Sequence, residues 1–124
     1  MTAPLAILAC LSLALAVALG AIGAHAVAAD DVGRRLWDTA SFWHVAHSLG
    51  LVALAPMTAR WGPKIGLAAV VAIVAGAAAF CGTLYVQALT GAPPVPMLAP
   101  TGGMLLIVGW LLAALAILIG PPKR

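Results

Sequence analysis

Residues able to do chemistry are few in this chain, and nearly all stand inside apolar runs. His25 lies near the end of the first run. Asp38 stands at the edge of the second, Ser41, His44, His47 and Ser48 lie within it, and Thr83, Tyr85 and Gln87 lie in the third. Polar groups in such surroundings are costly, so each is a candidate for function. At 100° per residue the five polar positions from Asp38 to Ser48 sweep about half of a helix circumference, while His44 and His47 lie about 60° apart and one turn apart in height. That i, i+3 spacing could seat a metal ion, with His25 or Asp38 completing the set, since imidazole suits zinc, copper or iron. A haem would use one or two of the histidines as axial ligands. The third reading has neutral imidazoles bonding across helices to Tyr85, Gln87, Ser48 or backbone carbonyls. It is preferred, because three histidines on two helices, whose mutual distances the sequence does not fix, make a weak metal signal. No metal and no cofactor is expected.

Asp38 has two readings of its own. It caps the second helix or pairs with Arg34 or Arg35, which is favourable near a helix N-terminus, or it relays protons beside a histidine. Ser, Cys and His all occur, yet no nucleophile–base–orienter spacing appears. Thr101-Gly102-Gly103 reads as a helix start and not as a phosphate loop. No catalytic residue is assigned, and enzymatic activity ranks last among the readings. Cys10 and Cys81 fall at different depths of their helices and are expected to be unpaired.

The elements that position these side chains follow from where charge is missing. Nine charged residues in 124 leave 1–29, 39–59 and 65–122 without one. The first run suits one membrane crossing and the second barely one. The third is cut by Gly91-Ala92-Pro93-Pro94-Val95-Pro96, which no continuous helix tolerates. The expected fold is all-α and integral to the membrane: one transmembrane domain over 1–124, a four-helix bundle with helices near 4–29, 36–57, 65–89 and 101–119. Met1–Ala6 has no Lys or Arg, unlike the start of a secretory signal, so the first helix is read as a retained span. A hydrophobic share of 65% fits this class, and the six scattered Lys and Arg make no nucleic-acid face. Arg60, Lys64, Lys123 and Arg124 against Arg34 and Arg35 favour both termini in the cytoplasm. Trp61 is then expected at the cytoplasmic interface, and Trp37 and Trp43 near the other.

Small residues crowd the helices. Gly20 and Gly23 stand in the first, Gly76 and Gly82 in the third, and Gly102, Gly103 and Gly109 beside Trp110 in the fourth. Such faces let backbones approach closely within lipid. They suit internal packing and also a homo-oligomer or a larger membrane complex, and surrounding lipid is the other partner expected.

Several segments together resemble the YgdD-like small inner-membrane protein family, a domain-of-unknown-function family. Gly20-Ala21-Ile22-Gly23-Ala24-His25 is similar to its Gly-Ala-Phe-Gly-Ala-His segment, and Thr39 to His47 to its aromatic–polar–x–x–His segment. Phe80 to Leu89 is similar to its Phe-Ser-Gly-Ser-Leu-Tyr segment and the few residues after it; Pro100-Thr101-Gly102-Gly103 and Gly109-Trp110 complete the match. The departures are Ile22 for Phe, Cys81 for Ser, Ala99 where Thr is common and His44 where Gln is frequent. The resemblance implies four membrane helices in a bacterial inner membrane or the related organelle, and it carries no activity. Two functions are therefore expected as alternatives. One is a structural or accessory subunit that self-associates or joins a larger complex. The other is a small-ligand, quinone-like or proton-conducting site of His25, His47 and Tyr85, with Asp38 and His44 as helpers, in the extracytoplasmic half.

Overall fold

The computed structural model describes residues 2–25 and 30–120. It is all-helical: α1 (Thr2–His25), α2 (Asp31–Leu54), α3 (Pro63–Thr90) and α4 (Leu98–Ile119), with a 3₁₀ segment, Ala55–Arg60, continuing from α2. Three of the four, Thr2–His25, Lys64–Thr90 and Leu98–Ile119, are long and apolar enough to cross a membrane. Their outer faces carry Ile7, Leu11, Val17, Leu67, Val71, Ile107, Leu111 and Leu118 exposed, as lipid contact requires. α2 is as long as α1 but holds Asp31, Arg34, Arg35 and Asp38 in its first two turns.

The start of α2 differs from the sequence expectation by five residues. Asp30 is its N-cap and accepts a hydrogen bond from Gly33 N at 2.7 Å, which satisfies an otherwise unpaired first-turn donor. Asp38 is thus neither the cap nor an ion-pair partner; it is exposed on the second turn without a hydrogen bond or ion pair among the described residues. The earlier start moves the midpoint of α2 back. Ser41 to Ser48 therefore straddle the centre of the helix and do not cluster in one half. α3 and α4 each begin somewhat before the expected position, and Gly91, at φ 77°, closes α3 in the left-handed conformation that glycine adopts without strain. The expected continuation of α1 to 29, and Lys123 and Arg124, lie outside the described residues.

α1 and α2 run antiparallel along their whole length. Gly23 meets Arg34, Leu19 meets Trp37, and Ser12 meets His44 and Ser48, the numbers falling on one helix as they rise on the other. Two apolar clusters tie the helices together. One draws Leu5, Leu51, Leu54, Trp61, Ile73, Leu106 and Ala113 from all four, and the second joins Trp37, Cys81, Leu84 and Tyr85 with Leu19 and Ala99 packed against them. Trp37 and Trp61 are therefore buried within the protein, 4% and 5% exposed. They do not form an outward aromatic belt.

Glycine settles the α3–α4 seam. A Cβ on Gly102 would stand 2.5 Å from Phe80 N, one on Gly76 2.8 Å from Gly102 O, and one on Gly109 2.7 Å from Ile73 Cγ1. Gly23 is likewise pressed against the Trp37 indole. A Cβ on Gly20 or Gly82 would meet nothing within 4 Å, and one on Gly103 only an ordinary contact with Phe80, so these three are not close-approach positions among the described residues.

Candidate functional site

α1 and α3 flank α2 without packing closely against each other. Between the two apolar clusters they leave a groove of about 460 Å³ whose floor is α2, within the range that holds small molecules. Leu8, Leu11, Leu15 and Leu19 form one wall and Val74, Ala77, Ala78 and Gly82 the other. Gly82 contributes space, since no neighbour stands where its side chain would be. The lining contains no Asp, Glu, Lys or Arg.

Its polar groups form a chain across three helices. Ser48 Oγ lies 2.8 Å from Ser12 Oγ, which lies 3.1 Å from His44 Nε2. His44 Nδ1 is 3.5 Å from the Tyr85 hydroxyl, which donates to Ser41 Oγ at 3.4 Å. The last two are long for hydrogen bonds. Their donors and acceptors can still be assigned without conflict. If Tyr85 gives its proton to Ser41, His44 donates from Nδ1 to Tyr85, accepts from Ser12 at Nε2, and Ser12 accepts from Ser48. The Tyr85 ring is held from below by Trp37, edge-on at 4.8 Å, and Trp37 is fixed by donating to Leu19 O at 3.0 Å.

His47 belongs to a second arrangement on the same floor. Trp110 Nε1–H of α4 donates to His47 Nδ1 at 3.0 Å. The imidazole stacks with Trp43 and with Trp110, at centroid distances of 5.6 Å and 6.0 Å. Gly50 makes this possible, because a Cβ there would fall 2.5 Å from the Trp110 ring.

The groove thus brings together His44, His47 and Tyr85. It does not include His25, which is exposed at the end of α1, or Asp38. Gln87 is half-buried farther along α3. Thr83 is 2% exposed, and its Oγ1 has no hydrogen-bond partner among the described residues. Among those residues no three His, Cys, Asp or Glu side chains could together hold a metal ion, and both cysteines are free. Two contributors were missed by sequence reasoning, Ser12 and Gly50. Ser12 carried a signal, as a hydroxyl within an otherwise apolar helix; Gly50 carried none, because its partner is 60 positions away.

A family model described as "Protein of unknown function (DUF423)" matches residues 19–103. The chain belongs to this family. The match begins at the Leu19 carbonyl that holds Trp37 and takes in all of α2 and α3. Among similar proteins, a UPF0382 membrane protein of Staphylococcus epidermidis is 32% identical over 114 residues, covering 90% of this chain and 93% of its own. One from Staphylococcus saprophyticus is 32% identical over 108 residues, covering 86% and 89%. The UPF0382 membrane protein YwdK of Bacillus subtilis is 30% identical over 116 residues, covering 89% and 92%. No solved structure matches the chain significantly. The YgdD-like resemblance agrees with this family, and the protein is a multi-pass membrane protein.

Proposed function

We propose that this protein binds a small, uncharged, lipid-soluble molecule in the groove between α1 and α3. The observation that carries the reading is an apolar groove with a hydrogen-bonded chain of Ser48, Ser12, His44, Tyr85 and Ser41 on its floor. Packing alone would fill such a space with leucine and alanine, because polar groups in a membrane interior are costly. An apolar tail fits the leucine wall, and a polar head group finds partners on α2 and α3. The absence of charge in the lining disfavours an ionic ligand, whose desolvation would go uncompensated.

The same reading places the chain in the bacterial inner (plasma) membrane as a bundle with four crossings. α2 is the fourth: it lies antiparallel beside α1 throughout, and its 24 residues reach about 36 Å against a hydrocarbon core of about 30 Å. Both termini then share a side, and the Arg60–Lys64 turn makes that side the cytoplasm. A second reading, an accessory subunit or homo-oligomer, draws on Gly20, where an added Cβ would meet nothing within 4 Å among the described residues, and which stands one turn from Ala16 and Ala24 on α1.

Native mass spectrometry of the protein released from its own membrane in mild detergent tests both. A reproducible extra mass in the range of a single small lipid-soluble molecule is the expected result. A stoichiometric second polypeptide without such a mass would replace the ligand reading with the subunit reading.

A further inference from the structure

The nature of the groove's ligand follows from one side chain, and the inference rests on the ligand reading above. His47 is 8% exposed and lines the groove. Its Nδ1 accepts the Trp110 N–H, so Nδ1 carries no proton, and the neutral ring must hold its proton on Nε2. That Nε2–H has no acceptor among the described residues. The Trp110 hydrogen bond, with Trp43 stacked on the ring, favours this orientation of the imidazole over one turned away. On a side chain that is otherwise buried and lines the groove, a donor with a fixed tautomer and no acceptor is costly in a membrane interior, unless something arriving in the groove accepts its hydrogen.

We infer that the groove recognises an uncharged ring or chain bearing a carbonyl oxygen, of which a lipid-soluble quinone is the simplest class, and that His47 Nε2–H donates to that oxygen. Trp110 is a positioning residue: by donating to Nδ1 it selects the tautomer that presents a donor to the groove. His44 differs in kind. Its Nε2 is engaged by Ser12 and its Nδ1 faces the Tyr85 hydroxyl at 3.5 Å, so each nitrogen already has a partner within the protein, unlike Nε2 of His47. An alcohol could accept from Nε2–H as well, but a carbonyl does so without an O–H of its own left unpaired among leucines.

The test uses the full chain in nanodiscs with two probes: a fully substituted benzoquinone bearing one decyl chain, and the corresponding decylbenzene without carbonyls. Binding is read by native mass spectrometry, and the His47 tautomer by nitrogen-15 NMR of labelled histidine. The expected result is His47 protonated at Nε2 alone, with a quinone preference of roughly five- to tenfold, the value of one hydrogen bond. Trp110→Phe keeps an aromatic ring against His47 and removes the N–H; it should mix the tautomers and reduce the preference toward one. Equal affinity of the two probes for the natural chain would overturn the inference and leave the groove reading standing. Failure of both probes to bind would overturn the two together. A preference unchanged by Trp110→Phe while the tautomer shifts would also refute it.

Discussion

Replacing Gly102 by alanine should destabilise the protein because of where the new methyl must go. It would stand 2.5 Å from Phe80 N, 2.9 Å from Gly76 O and 3.0 Å from Ala79 Cβ. Two of these three neighbours are backbone atoms of α3. No side chain can swing aside, so the helices must separate by about 1 Å to restore ordinary carbon contacts. Separation also loosens the neighbouring closures at Gly76–Leu106 and Gly109–Ile73. Overpacking of this kind costs about 1–3 kcal/mol. Alanine's better helix propensity offsets up to about 1 kcal/mol of that. Gly82→Ala supplies the control, since it gains the same propensity and meets nothing within 4 Å. The difference between the two variants isolates the packing cost at about 1–3 kcal/mol. Reversible unfolding in mixed micelles of mild detergent and dodecyl sulfate, followed by tryptophan fluorescence, measures it. Coincident midpoints for Gly102→Ala and Gly82→Ala would show that α3 and α4 do not meet backbone to backbone at this seam.

Two further outcomes are expected. Thr83→Val should raise stability by about 1 kcal/mol, because it keeps the shape and removes a buried hydroxyl that lacks a partner; a loss in the same unfolding assay would mean the hydroxyl is bonded. In a chain freed of Cys10 and Cys81, a cysteine at Val32 should react with a membrane-impermeant maleimide from outside intact cells, and one at Ala59 only after permeabilisation. Labelling of both from the same side would mean that α2 does not cross.

Much of the architecture was legible because apolar length and proline are local signals. The three apolar helices and the break at Gly91–Pro96 were readable from charge and turn residues alone. Gly76, Gly102 and Gly109 were readable as packing positions for a similar reason: small residues at helical spacing have few other uses within lipid. The start of α2 was missed although Asp30 carried the signal. An aspartate followed three residues later by a glycine donor reads equally well as a turn, and Arg34 and Arg35 looked like loop charges until the fold placed Arg34 against the Gly23 carbonyl.

The site was less legible, and the histidines show why. His44 and His47 share a helix and a floor, so their spacing suggested a pair. Their partners divide them: Ser12 and Tyr85 hold one, Trp110 and Trp43 the other. Those partners come from α1, α3, α4 and α2 itself, and no spacing along α2 encodes which of them a given imidazole will meet. Gly82 presents the same difficulty in reverse. Its small size suggested close packing, while the fold uses it to leave room.

Gly82→Leu tests the groove most directly. Among the described residues nothing stands within 4 Å of where a Cβ at this groove-lining position would lie, so a leucine there starts without a clash and adds its bulk to the groove wall. Native mass spectrometry of this variant, compared with the natural chain from the same membrane, reads the consequence. The account predicts that the natural chain carries its extra mass and that Gly82→Leu, folded and as resistant to dodecyl sulfate as the natural chain, carries none. Full retention of the mass by a folded Gly82→Leu would contradict the claim that the ligand lies between α1 and α3.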